Sequence, residues 1–294
     1  MSLHRNCSGS GLPPVIFESG LAASSITWTL IQPEIATLTQ TCSYDRGGLG
    51  YSPAPSTPRT LENICTELRQ TLVAAGIAPP YILVGHSYGG LILRYFAQHY
   101  RAETAGLVFV DPVSVGEWCN VTDERRRKLE KGIALSRRGG LLARLGIVRL
   151  SLALLMSGSR WMPKLVAKAS SGPAYGLANR IAREVGKLPR QVWPSLQRHW
   201  SQPKCFYAMA EYLRYLPQNA VSVSDFADLR DIPVVVISAG EASPAELEEH
   251  AKLAQLSSSG RHLVAERSGH WIPFDRPDIV IEAVRSVVDQ VRGA

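Results

Sequence analysis

The chain has 294 residues, 45% hydrophobic and 19% charged, with 32 Lys and Arg against 25 Asp and Glu. That is the composition of a globular protein, and the length suits one large α/β core carrying an insertion. No stretch reaches the roughly 18 uninterrupted apolar residues of a membrane span.

The opening residues Met1-Ser2-Leu3-His4-Arg5-Asn6-Cys7 lack an apolar secretion core, so the chain is expected to start here and to lie in the cytoplasm. Pro13-Pro14-Val15-Ile16-Phe17-Glu18-Ser19-Gly20 reads as a short strand that stops at a glycine, and Ser24 to Ala36 supports a helix interrupted near Pro33. A second strand, Gln40 to Tyr44, runs into the glycine- and proline-rich loop Asp45-Arg46-Gly47-Gly48-Leu49-Gly50-Tyr51-Ser52-Pro53. Thr60 is placed to cap a helix, because Leu61, Ile64, Leu68, Leu72 and Val73 recur at helical spacing as far as Gly76.

Tyr81-Ile82-Leu83-Val84 then forms a buried parallel strand that ends in Gly85-His86-Ser87-Tyr88-Gly89-Gly90, and Leu91 to Ala97 continues with helical spacing. Ser87 therefore sits on a strand-to-helix turn. Gly85 and Gly89 make it a G-x-S-x-G nucleophile elbow, where neighbours without a Cβ let the serine Oγ project from the sheet edge. The helix start beneath it favours negative charge.

Ala105 to Val110 is a further strand, ending at Asp111-Pro112. Strand and helix alternate, which implies a mostly parallel, doubly wound sheet with its ligand site beyond the carboxyl ends of the strands. Gly20, Asp45, Ser87 and Asp111 all fall there.

From 113 to 224 the strand pattern is replaced by basic helical sequence with Trp118, Trp161, Trp193 and Trp200. This segment holds 19 Lys and Arg against 6 Asp and Glu, while the remainder holds 13 against 19. The expected organisation is therefore a core of 1–112 and 225–294 with a basic helical cap, 113–224, inserted after Asp111. Leu141 through Met156 reads as an amphipathic helix over an apolar cleft. Arg125-Arg126-Arg127-Lys128 reads first as a solvated helix face. Weak attraction to an anionic lipid surface is the second reading of the cap, and nucleic acid the third, with no recognition motif beside the charge.

The strand pattern resumes at Ile232 to Ser238, Ser243-Pro244 opens a helix, Arg261 to Glu266 makes a last strand, and Asp278 to Val291 a closing helix. The last strand delivers Ser268-Gly269-His270-Trp271 to the edge that carries Ser87.

A serine hydroxyl needs an adjacent base, and a third group to orient that base. His270 is the candidate. His86 adjoins the serine, but its side chain should turn away, which gives it a structural role. His4, His99, His199, His250 and His262 read as surface or packing residues. Five scattered cysteines, Cys7, Cys42, Cys65, Cys119 and Cys205, have no C-x-x-C spacing and read as free thiols. Neither a metal-ligand cluster nor a dinucleotide fingerprint is seen, so no cofactor is expected.

Glu18-Ser19-Gly20-Leu21, Tyr44 to Ser52, Gly85 to Gly90 and Ser268-Gly269-His270, in this order, resemble the α/β-hydrolase superfamily, and the likeness covers nearly the whole chain. The resemblance implies an oxyanion hole from the backbone N–H groups of Leu21 and Tyr88. It also implies an acid in a loop of the form glycine-x-x-aspartate, yet here Gly240-Glu241-Ala242-Ser243 ends in serine. Either Glu241 takes that role or, as in relatives that draw the acid from the preceding strand, Asp111 does, and Asp111 is preferred. Asp45 is read as an organiser of its loop.

The implied activity is hydrolysis of small to medium hydrophobic carboxylic esters through an acyl-enzyme, with a small-molecule ester as the partner. A serine argues against the epoxide- and haloalkane-hydrolysing relatives, which use an aspartate there. Amide, lactone or carbon–carbon bond hydrolysis, lyase and perhydrolase chemistry remain open, as does a catalytically weak ligand-binding protein.

Overall fold

The computed structural model describes residues 3–156 and 186–293. Trp161 and the rest of 157–185 lie outside the described residues. Seven strands, β1 (Arg5–Ser8), β2 (Val15–Glu18), β3 (Thr41–Tyr44), β4 (Tyr81–His86), β5 (Thr104–Val110), β6 (Val234–Ala239) and β7 (Gly260–Ala265), form one sheet in the order β1-β3-β2-β4-β5-β6-β7. Only β1 runs antiparallel to its neighbour.

Apolar residues alternate between the two faces because a strand turns successive side chains to opposite sides. Leu83, Leu107, Phe109, Val234 and Val236 join one core cluster, while Ile82, Val84, Val108, Val110, Val235 and Ile237 join the other. Both faces are consequently covered, as continuous apolar strands require. Five helices do most of the covering: α1 (Gln32–Ile35), α2 (Leu61–Ala74), α3 (Gly89–His99), and, near the C-terminus, Pro244–Ala254 and Pro277–Arg292.

Local signals explain where these helices start. Pro33 stands in the first turn of α1, behind a short 3-10 turn at Ser25–Trp28, so the expected interrupted helix is two pieces. Thr60 caps α2 by accepting from the Asn63 N–H. In the closing helix Val280, Val284, Val287 and Val288 share one buried face, and each such side chain removed from water contributes about 1.5–3 kcal/mol.

Between β5 and β6 the described elements are helices, α4 (Val115–Cys119), α5 (Asp123–Arg144), α6 (Ile147–Met156), α7 (Trp193–Ser201) and α8 (Pro203–Val221), with a 3-10 turn before α7. The helices after β6 are then α9 (Pro244–Ala254), α10 (Ile272–Asp275) and α11 (Pro277–Arg292). Helix α8 is pinned to the core. Asn219 Nδ2 donates to Tyr88 Oη at 2.7 Å and to the Arg59 carbonyl at 2.9 Å, and a Cβ on Gly48 would stand 2.4 Å from that of Ala208.

Three expectations are corrected. Cys7 and Cys42 are not free thiols but a disulfide, because β1 brings them opposite each other across its antiparallel pairing with β3. Cys65, Cys119 and Cys205 are free. β1 itself was not foreseen, for its four residues are all exposed and carry no apolar alternation. The helix expected over Leu141–Met156 is broken at Gly146, whose φ of +76° suits a residue without a Cβ. Leu141, Leu142, Leu145, Ile147 and Leu150 are exposed rather than laid over a cleft.

Candidate active site

Strands β2 to β7 all end at one edge, and the chain between β4 and α3 makes a sharp turn there. Ser87 adopts φ +55°, a left-handed conformation that costs a residue with a Cβ about 1–2 kcal/mol. The turn fits only because its neighbours are glycines. A Cβ on Gly85 would come within 2.9 Å of the Gly89 backbone, and one on Gly89 within 2.8 Å of the Glu18 carbonyl. The Ser87 carbonyl accepts from the Gly90 N–H at 2.9 Å and the Val113 N–H at 3.2 Å, which fixes the turn against the end of β5.

Asp111 follows β5 with φ +43°. Its N–H still donates to Ile237 in the neighbouring strand at 2.7 Å, while its carboxylate Oδ1 accepts from the Ala239 N–H at 2.9 Å. The other oxygen, Oδ2, accepts from His270 Nδ1 at 2.6 Å, and His270 Nε2 lies 3.0 Å from Ser87 Oγ. Ser87, His270 and Asp111 are therefore one hydrogen-bonded chain. Burial opposes charge on Asp111, but the His270 hydrogen bond, its charge and the Ala239 N–H outweigh that and hold the carboxyl below its usual range.

The loop after β7 holds His270 from several sides. The Gly269 N–H donates to Asp275 Oδ2 at 3.0 Å, Ser268 Oγ donates to the Ala265 carbonyl at 2.7 Å, and His86 Nε2 donates to the His270 carbonyl at 2.8 Å. That donation places a proton on Nε2, and among the described residues Nδ1 has no partner. Burial, then the neighbouring His270, lowers the His86 pKa to about 3. His86 lies outside the Ser87–His270–Asp111 chain, as its turned-away side chain suggested.

Glu241 does not reach the imidazole. Its N–H donates to the Ser268 carbonyl at 3.2 Å, and its carboxylate lies toward Gly269. Ser243, at the position where an aspartate was looked for, instead caps α9 in a reciprocal capping box with Glu246. Asp45 organises its loop: Oδ1 accepts from the Ser25 N–H at 2.8 Å and Oδ2 from the Tyr51 N–H at 2.9 Å.

Beside the serine runs the loop Ser19 to Ala23. A Cβ on Gly20 would lie 3.2 Å from His86 Nδ1 and 3.5 Å from Ser87 Cβ, so this loop runs close beside the elbow. Among the described residues, neither the Leu21 N–H nor the Tyr88 N–H has an acceptor. Two further groups here were not foreseen. Arg46 bonds the carbonyls of Ser19, Gly20 and Leu21, and His199, from α7, contacts the Ala22 carbonyl through Nε2 at 3.1 Å and accepts from the Gly50 N–H at 2.8 Å. Burial keeps the His199 pKa below its ordinary value. Nothing in the helical sequence around His199 marks it, whereas Glu18, a carboxylate closing an apolar strand, hints that a buried cation must meet it.

The His270 side chain is 49% exposed and Ser87 8%, so water reaches the imidazole while the hydroxyl stays shielded. Among the described residues no group of three or more His, Cys, Asp or Glu side chains is arranged to hold a metal ion, and no helix is long and apolar enough to cross a membrane.

A family model described as alpha/beta hydrolase fold matches residues 13–277. An AB hydrolase superfamily protein of Gibberella zeae is 24% identical over 95% of this chain and 87% of its own length. Matches to two other curated relatives, from Bacillus subtilis and Schizosaccharomyces pombe, take in 45% and 43% of those proteins' length. Among solved structures, a thermophilic esterase from Thermogutta terrifontis superposes with a TM-score of 0.65 at 20% identity, covering 98% of this chain and 93% of that one. The epoxide hydrolase CorEH superposes with a TM-score of 0.71 at 18% identity, covering 99% and 95%. At such identities the likeness is one of fold.

Proposed function

The chain belongs to the α/β-hydrolase fold family, and on that premise we propose that it is a serine hydrolase cleaving carboxylic esters of small to medium hydrophobic acyl groups. The observation that carries this reading is the chain of contacts at 3.0 and 2.6 Å from Ser87 through His270 to Asp111, with the serine on a strained elbow. An imidazole that donates Nδ1–H to a carboxylate presents a lone pair at Nε2, and that lone pair is what a serine proton needs. Ser87 Oγ then attacks the acyl carbonyl as its proton passes to His270.

The carbonyl oxygen becomes an oxyanion, for which the unengaged N–H groups of Leu21 and Tyr88 are the donors. Each such donor supplies a factor of about 10² to 10³ in rate. His270 returns its proton to the leaving alcohol, and the acyl group stays on Ser87. Water, reaching the exposed face of His270, gives it a proton and adds to the acyl carbon; as the bond to Ser87 Oγ breaks, His270 returns that proton to Oγ and the acid leaves.

A serine at the elbow favours this over the chemistry of the CorEH neighbour, because the aspartate that epoxide-opening relatives use is absent. The ligand-binding reading drew its force from the missing carboxylate at Ser243, and Asp111 at 2.6 Å from His270 supplies one. The test is hydrolysis of p-nitrophenyl esters from acetate to palmitate by the wild type and Ser87→Ala, together with labelling by a fluorophosphonate. Turnover of the short and medium esters that disappears in Ser87→Ala supports the reading. Full activity in Ser87→Ala sinks it. Labelling of Ser87 without ester turnover keeps the nucleophile and discards the substrate class.

A further inference from the structure

The loop that bears Leu21 has short side chains of its own, Ser19, Gly20, Ala22 and Ala23, yet its carbonyls are held in turn by one arginine. Arg46 Nη1 donates to the Ser19 carbonyl at 2.6 Å and to the Glu18 carboxylate, and Nη2 donates to the Gly20 carbonyl and to that of Leu21 at 2.8 Å. The guanidinium cannot drift. Glu18 Oε1 holds it at one end, Tyr44 Oη bonds Glu18 Oε2, and the rings of Tyr88 and Tyr212 lie 5.3 and 5.0 Å from its centre. Arg46 is 2% exposed. Burial works against its charge, and Glu18 together with Tyr212, Tyr44 and Tyr88 more than restores it.

A buried ion pair needs only its counter-ion. Three additional carbonyls from consecutive residues have a different consequence, which follows from peptide geometry. The Gly20 carbonyl and the Leu21 N–H belong to one trans peptide, so they point to opposite sides. With the carbonyl fastened to Arg46, the N–H must face away from it, and beside Gly20 lies the elbow: a Cβ built there would stand 3.2 Å from His86 Nδ1 and 3.5 Å from Ser87 Cβ. An amide whose oxygen is bonded to a cation is also the stronger donor, because hydrogen bonds in a chain polarise one another.

We propose that Arg46 is a positioning residue for the oxyanion site: it fixes and polarises the Gly20–Leu21 peptide so that the Leu21 N–H meets the developing oxyanion. The proposal rests on the reading of Leu21 as an oxyanion donor. Orientation set before the reaction adds nothing to ground-state binding and lowers the barrier, which is a distinctive kinetic signature.

The experiment compares wild type, Arg46→Lys, Arg46→Met and Leu21→Pro. Each is measured for kcat and KM on a p-nitrophenyl ester, for affinity toward an alkyl trifluoromethyl ketone that forms a tetrahedral adduct, and for fraction folded. Arg46→Lys keeps a charge beside Glu18 but cannot span three carbonyls. Its kcat is expected to fall about 10- to 100-fold, with KM within about threefold and ketone affinity weakened in step with kcat/KM. Arg46→Met is expected to lose at least as much.

Folded Arg46 variants that retain kcat and ketone affinity overturn the proposal. So do variants whose whole deficit is loss of folded protein, because that is what a merely structural arginine gives. Leu21→Pro, which removes the N–H itself, keeps the two readings apart. If it leaves kcat and ketone affinity unchanged, Leu21 is no donor and the underlying reading fails. If it loses both while Arg46→Lys loses neither, the donor stands and Arg46 does not position it.

Discussion

Asp111 Oδ2 and His270 Nδ1 stand 2.6 Å apart although the two residues are separated by 159 positions and leave the sheet from strands that are not neighbours. β6 lies between them, and its contribution is the Ala239 N–H on the far oxygen of the same carboxylate. The carboxylate thus reaches across one strand. Glu241, which follows the intervening strand directly, is spent on the loop rather than on the ring.

Asp111→Asn is therefore expected to lower kcat about 10³- to 10⁴-fold, because an amide can hold the wrong imidazole tautomer. Glu241→Gln should stay within about threefold of wild type. Steady-state ester hydrolysis by the two single variants decides it, and an equal loss in both would leave the acid unassigned.

The elbow, the histidine loop and six of the seven strands were legible because each rests on local chemistry: apolar runs stopped by glycine, and a serine between glycines. Asp111 was preferred over Glu241 from the resemblance to relatives that draw the acid from the end of the preceding strand, the usual aspartate position being Ser243. What could not be read depends on long-range register or on burial of polar groups. β1 has no apolar pattern, and its Cys7 meets Cys42 only through pairing with β3. Arg46 and His199 make contacts with backbone carbonyls, which no residue pattern announces. Gly146 is one glycine in a stretch that otherwise looks continuously helical.

Gly89→Ala is expected to be disproportionately harmful for one methyl group. Its Cβ would sit 2.8 Å from the Glu18 carbonyl and 3.0 Å from Glu18 Cγ, and neither can yield, since Glu18 is buried and bonded to Arg46 and Tyr44. Overpacking of this kind costs about 1–3 kcal/mol. Urea unfolding should register a loss in that range. Gly116→Ala, where a Cβ meets nothing within 4 Å, serves as the control and should be neutral or slightly stabilising.

The Cys7–Cys42 bond closes a loop across an exposed edge strand far in sequence from the serine. Its removal is expected to cost about 2–4 kcal/mol of stability through the freedom returned to the unfolded chain. Nothing in the Ser87–His270–Asp111 chain touches it. A Cys7→Ser, Cys42→Ser protein should accordingly melt lower while its kcat at 25 °C stays within about twofold of wild type, and a large kcat loss would show that the edge of the sheet matters to the site.

His86 makes the fold sensitive to acid in a defined window. Its folded pKa of about 3 lies below the ordinary 6.5, because burial and then His270 oppose the charge. Between those values the unfolded chain binds a proton that the folded one refuses, so stability rises with pH there and falls as pH is lowered from 6.5 toward 3. One such group contributes a slope of at most about 1.4 kcal/mol per pH unit. His199, also kept neutral by burial, adds to it in the same direction. His86→Gln has no charge to gain and retains an amide donor for the His270 carbonyl. Its urea-unfolding free energy should therefore fall less steeply than that of wild type between pH 6.5 and 4.5, with the two curves parallel above pH 7. Equal slopes in the acid window would mean that the buried imidazole takes its proton in the folded state as readily as in the unfolded one.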